Sequence, residues 1–175
     1  MDKILLIYST TDGHTRKICH RLKQVIEEQS CRVTLISIDN SPDVDLNSFD
    51  KIVLGASIRY GKHNNQVYAF INRNQQLLNG KPNAFFTVNV VARKPGKNRP
   101  DTNPYLIKFL NQTSWQPKEL AVFAGKIDYK KYSFRDRQVI RLIMWITKGP
   151  TDLETVVEFT DWNQVEAFAK RICDM

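Results

Sequence analysis

The turn Ser9-Thr10-Thr11-Asp12-Gly13-His14-Thr15 sets four hydroxyls, one glycine and one histidine between an apolar run and a helical pattern. Hydroxyl donors beside the backbone N–H groups of a helix N-terminus suit a phosphate monoester. No Gly-Lys-Ser/Thr follows and no GxGxxG is present, which excludes a triphosphatase loop and a dinucleotide fingerprint. A turn that only caps its helix uses the same residue types, so the loop alone leaves both readings open. Positive charge forms two further groups. One is Arg93, Lys94, Lys97 and Arg99; the other is Lys126–Lys148, with seven basic residues against two acids, a net +5 of the chain's +8. At about 100° per residue, Phe134–Lys148 places Arg137, Arg141 and Lys148 within about 40° of one another. Val139, Leu142, Ile143 and Ile146 take the opposite arc, with Trp145 at a flank. His14, His20 and His63 do not cluster at metal-ligand spacing. Cys19, Cys31 and Cys173 form no CxxC, so neither a metal site nor a disulfide framework is indicated, and a reducing, cytoplasmic setting fits.

The elements that must hold these groups alternate between strand and helix. Ile4–Tyr8 reads as a strand buried on both faces, followed by a helix over Thr15–Glu28 with Ile18, Leu22, Val25 and Ile26 on one side. Further strands are predicted at Arg32–Ile38, Lys51–Ala56, Asn83–Val91 and Glu119–Ala124, the third entered from an acidic loop at Asp39–Asp50. A helix over Gln66–Leu78 carries Val67, Phe70, Ile71 and Leu78 and is expected to end on Gly80 as its cap. Another, capped by Asn103 or Thr102 with Pro104 at its first position, buries Leu106, Phe109 and Leu110. The last starts at Trp162, with Asp161 and Gln164 spaced as a capping box. Five strands joined by helices give an open α/β sheet with right-handed crossovers and helices on both faces. The chain reads as one domain, 1–175, with an insertion over about 126–160. Its 175 residues, 42% hydrophobic and 25% charged, exclude a disordered chain. No apolar run exceeds five residues, which excludes a membrane-spanning helix and a signal peptide.

Thr10, Gly13, His14 and Thr15 fall on the pattern Thr-x-Thr-Gly-x-Thr, and here the sequence resembles the flavodoxin family. The resemblance implies the strand order 2-1-3-4-5 and a flavin mononucleotide (FMN) whose phosphate is held by Ser9, Thr10, Thr11, Asp12, Gly13, His14 and Thr15. Asp12 stands where that family has a hydroxyl, so it is expected to point away or to cap the helix. By position, Ser57, Ile58, Arg59, Tyr60 and Gly61 after the third strand, and Asn89, Val90, Val91 and Ala92 after the fourth, would hold the isoalloxazine ring. Gly125 would close the site, and Tyr60 would stack on the ring. Within that superfamily the chain resembles the quinone-dependent protoporphyrinogen IX dehydrogenases. The stretches that carry this are Ser9–Thr15, GASIRYG at Gly55–Gly61, VNVVARKPGK at Val88–Lys97, the basic helix, and FTDW at Phe159–Trp162. This implies the six-electron oxidation of protoporphyrinogen IX, with menaquinone or ubiquinone as acceptor, in heme biosynthesis. Arg59 and Arg93 are then candidates to orient its propionates. No acid–base residue is apparent.

Flavodoxins are acidic, whereas this chain is basic. Its amphipathic stretch fits an anionic membrane surface, contacted through Arg137, Arg141, Lys148 and Trp145. That placement puts the protein peripherally on the cytoplasmic face of the inner membrane, and otherwise in the cytoplasm. In the other reading the apolar arc packs on the sheet edge and the basic face is solvated. Nucleic acid is not indicated, because no stacking platform interleaves with the basic residues. An NAD(P)H-quinone reductase and a non-catalytic electron carrier stay open as alternatives, as does a homo-oligomer.

Overall fold

In the computed structural model the backbone is described for residues 1–175 and the side chains for all of these except 41–43. Five parallel strands, β1 (Lys3–Ser9), β2 (Arg32–Ser37), β3 (Lys51–Ser57), β4 (Asn83–Asn89) and β5 (Glu119–Ala124), lie in the order β2-β1-β3-β4-β5. The expected order and sheet type are observed, with β1 and β3 in register from Ile4↔Lys51 to Ser9↔Ala56. Alternate residues of each strand feed two cores. Leu6, Val53, Phe86 and Phe123 face α1 (His14–Glu28) and the C-terminal helix Trp162–Asp174. Leu5, Leu54, Phe85 and Val122 face α2 (Asn65–Gly80) and α3 (Pro104–Gln112). Both faces are covered, which is why the central strands read as unbroken apolar runs. Gly55 lets this packing close: a Cβ there would stand 2.1 Å from Cζ of Phe86.

Several element ends differ from expectation for local reasons. Gly80 is the last helical residue of α2 and is not left-handed. The Asn83 amide instead donates to the Leu78 carbonyl at 2.6 Å, satisfying the helix end that glycine was expected to close. The fourth strand stops at Asn89, whose side chain accepts from Ala92 N–H and starts a 3-10 turn over Val90–Arg93. Asn103, not Thr102, caps α3, accepting from Tyr105 and Leu106 N–H at 3.2 Å each.

The insertion is more than a helix. Strands β6 (Lys126–Asp128) and β7 (Val156–Glu158) pair antiparallel and bring its two ends together. Between them lie a 3-10 turn, Tyr129–Lys131, and α4 (Phe134–Ile146), which makes the C-terminal helix α5. Ile127, Tyr129, Tyr132 and Met144 form a small core of their own, packed against Val90, Ile140, Leu153 and Phe159. Among the described residues no helix is long and apolar enough to cross a membrane.

Candidate functional site

The carboxyl ends of β1, β3, β4 and β5 open into a cleft of about 190 Å³, where this topology reverses direction. Thr10, Thr11, Asp12, His14 and Thr15 line one side, and Ser57 to Gly61 and Val88 to Val91 line the floor and far side. Gly125 also lines the cleft. Ser9, Gly13 and Ala92 were expected to contact the cofactor but are absent from the lining. Ser9 is buried in β1, Gly13 sets the backbone bend, and Ala92 is buried with its N–H on Asn89.

Gly13 adopts φ 87° as the residue before α1, and its N–H donates to Thr10 Oγ1 at 3.0 Å. No side chain caps α1, and its first turn holds no acid. Thr15 Oγ1 is buried and has no hydrogen-bond partner. An uncapped helix start beside an orphaned hydroxyl offers a set of donors to an anion, so the turn fits a phosphate monoester.

Asp12 does not cap α1. Its carboxylate pairs with Arg59, tying the phosphate turn to the loop after β3. Burial holds the Asp12 carboxyl above its ordinary range, outweighing the guanidinium beside it. Arg59 also lies over the Tyr132 ring at 5.3 Å, so turn, loop and insertion meet at one cluster. Next to it, Tyr60 (φ 51°) and Gly61 (φ 73°) are both left-handed, and Arg59 and Lys62 exchange backbone hydrogen bonds across them. That two-residue turn leaves Tyr60 54% exposed at the cleft.

His14 is held from the insertion. Thr160 Oγ1 donates to the Ala124 carbonyl at 2.7 Å, so toward His14 Nε2, 2.6 Å away, it accepts. Burial lowers the His14 pKa, and the neighbouring Lys17 and Lys126 add to this against Glu158. Two buried amides, Asn89 and Asn103, bond reciprocally at 3.3 and 3.2 Å and fix the end of β4 to the start of α3. Sequence reading missed Asn103 as this brace, and it missed the cleft-lining Val88, Tyr105, Lys126, Asp128, Lys131, Tyr132, Ile140, Ile143 and Met144. Most of them belong to the insertion, whose path over the sheet no local pattern foretells.

Two basic-residue expectations change. Arg93 does not line the cleft: its guanidinium donates to the Val90 carbonyl at 3.1 Å and to the carbonyl and hydroxyl of Thr147 at 3.2 and 3.0 Å. Arg137 donates to the Tyr129 carbonyl at 3.1 Å and so braces the insertion. Arg141, Lys148 and Trp145 are exposed. The apolar arc of α4 is exposed as well, with Leu142 at 55% and Ile146 at 66%, so it does not pack on the sheet edge. Among the described residues no group of three or more His, Cys, Asp or Glu is placed to hold a metal ion.

Residues 5–154 match the family described as Flavodoxin domain. The chain is 39% identical over 173 residues to the protoporphyrinogen IX dehydrogenase [quinone] of Escherichia coli (strain K12), covering 99% of this chain and 96% of that protein. It is 42% identical over 168 residues to the protein of the same name from Leishmania major, covering 95% of this chain and 73% of that one. Among solved structures, a flavodoxin from the domain Archaea superposes with a TM-score of 0.53 at 16% identity, covering 98% of this chain and 96% of that one. A WrbA-like flavodoxin from Agrobacterium tumefaciens gives 0.53 at 15% identity, covering 99% and 96%. With its sheet order, its phosphate-type turn and these matches together, the chain belongs to the flavodoxin-domain family, alongside the quinone-dependent protoporphyrinogen IX dehydrogenases.

Proposed function

We propose that this protein is a protoporphyrinogen IX dehydrogenase that holds FMN in the cleft, oxidises protoporphyrinogen IX to protoporphyrin IX for heme biosynthesis and passes the electrons to a quinone. Its cofactor is a flavin. The mononucleotide form is favoured by the orphaned Thr15 hydroxyl and the uncapped start of α1, which match a terminal phosphate. Thr10, Thr11, His14 and Thr15 would hold that phosphate, while Ser57 to Gly61 and Asn89 to Val91 would hold the ring. When bound, the flavin supplies a two-electron acceptor. The protein's own part is to orient and to exclude water: Asp12–Arg59 and the Asn89–Asn103 pair fix the loops, and Ile140, Ile143 and Met144 of α4 give the cleft an apolar wall. A peripheral station on an anionic bilayer, at the cytoplasmic face, is supported by the exposed Leu142, Trp145 and Ile146 beside Arg141.

The observation that carries the reading is 39% identity in an alignment of 173 residues that spans the insertion as well as the sheet. It is tested anaerobically by porphyrin fluorescence with menaquinone or ubiquinone, with and without FMN. Fluorescence should develop only when FMN, porphyrinogen and quinone are all present. Turnover with NAD(P)H in place of porphyrinogen would instead select a quinone reductase.

A further inference from the structure

Three cationic side chains other than histidine line the cleft, and they differ in what they are bonded to. Arg59 gives Nη2 to Asp12. Lys126 Nζ lies 3.9 Å from Asp128 Oδ2. Among the described residues, Lys131 pairs with no carboxylate, although the preceding Lys130 is bonded to Glu154 at 2.7 Å. An ammonium with three donors and no acceptor, at the mouth of a cleft, is open to an incoming anion.

The backbone beneath it is fixed. Lys131 ends the 3-10 turn Tyr129–Lys131, and Tyr129 is fully buried with its hydroxyl donating to the Pro150 carbonyl at 2.6 Å. Tyr132, 7% exposed, meets the Tyr129 ring edge-on at 5.9 Å. Alongside stand Ile140, Ile143 and Met144. The insertion therefore offers an apolar wall and one uncompensated charge on the same side of the cleft. Asp12, the carboxylate whose titration Lys131 influences, is already engaged by Arg59 and does not claim the ammonium. The complementary ligand is a bulky apolar body with a carboxylate at its edge.

We propose that Lys131 recognises a propionate carboxylate of the tetrapyrrole while the α4 wall receives its macrocycle, so that the insertion sets substrate specificity. This rests on the proposed function above. It replaces Arg93, whose guanidinium is spent on Val90 and Thr147, as the second basic contact beside Arg59.

The test uses the FMN-loaded protein, titrated with protoporphyrin IX and, separately, with its dimethyl ester, which has no carboxylate. Binding is read by quenching of protein fluorescence. Wild type should prefer the free acid. Lys131→Ala should weaken binding of the acid about fivefold, near the upper end for an exposed ion pair. Lys131→Glu should weaken it further, Lys131→Arg should restore it, and the preference for acid over ester should shrink in step with the loss of charge. Equal weakening of acid and ester would assign Lys131 to packing and overturn the proposal, as would an unchanged preference in Lys131→Ala. A wild type that prefers the acid yet turns over only NAD(P)H would overturn the proposed function and leave Lys131 standing as a carboxylate site. A wild type that binds neither porphyrin overturns both.

Discussion

A buried hydroxyl without a partner costs stability until something completes it, and Thr15 Oγ1 is such a group. Replacing it by valine removes the orphan and keeps the shape. Thr15→Val should therefore leave the melting temperature of the cofactor-free protein equal or raised. The same change should raise the FMN Kd about tenfold or more, since a hydrogen bond to a charged group contributes about 1.5–3 kcal/mol. Flavin fluorescence quenching measures this, and an unchanged Kd would remove Thr15 from the phosphate site. The turn was legible in the sequence because its four hydroxyls fall within seven residues, Ser9 to Thr15. Asp12 was not, because what decides its role is Arg59, 47 residues away. Arg93 was misjudged for the same reason: its acceptors at Thr147 lie 54 residues along the chain.

At the scale of elements, the loop between β3 and α2 is anchored by His63, whose Nε2 lies 3.0 Å from Thr87 Oγ1 in β4 and whose ring packs edge-on to Phe85 and Phe109. Burial pushes its pKa down to about 4. The unfolded chain, titrating near the ordinary value of 6.5, takes up a proton that the folded one refuses. Stability is therefore full above about pH 6.5, declines as pH falls toward about 4, and is flat below, a loss of about 3 kcal/mol in all. Urea midpoints from pH 7 to 4 should show this slope, and His63→Gln should flatten it; identical slopes would place the acid sensitivity elsewhere. The apolar patterning of the sequence located all five strands of the parallel sheet and the last helix, since their apolar residues recur over five residues or more. It could not give β6 and β7, which are three residues each and too short to alternate visibly. Nor could it say which arc of α4 faces the protein. Met144 and Ile140 turn inward, while Leu142 and Ile146 are left outside.

Taken as a whole molecule, the protein is basic and shows its apolar surface on the helix that also walls the cleft. Cosedimentation with anionic phospholipid vesicles should be strong and should weaken with salt. Arg135→Glu with Arg141→Glu should cut the partition coefficient about tenfold or more, each cation near the surface contributing about 1 kcal/mol. Trp145→Ser with Ile146→Ser should lower it independently of salt. Arg137 is a poor choice for such a test, because its substitution would loosen the insertion itself. No cosedimentation with anionic vesicles would remove the bilayer from the account, and equal binding to uncharged vesicles, unaffected by either pair of changes, would remove α4 as its contact. The pairing of β6 with β7 carries a consequence for protein engineering. The insertion departs and returns through one zipped neck, Lys126↔Glu158 to Asp128↔Val156, so the segment beyond it begins and ends at one place, although Tyr132 under Arg59 and Thr147 on Arg93 also tie it to the cleft loops. Trimming the segment between residues 129 and 155 while keeping the neck would convert this enzyme toward a bare electron shuttle, with the clasp from Thr160 to His14 left intact.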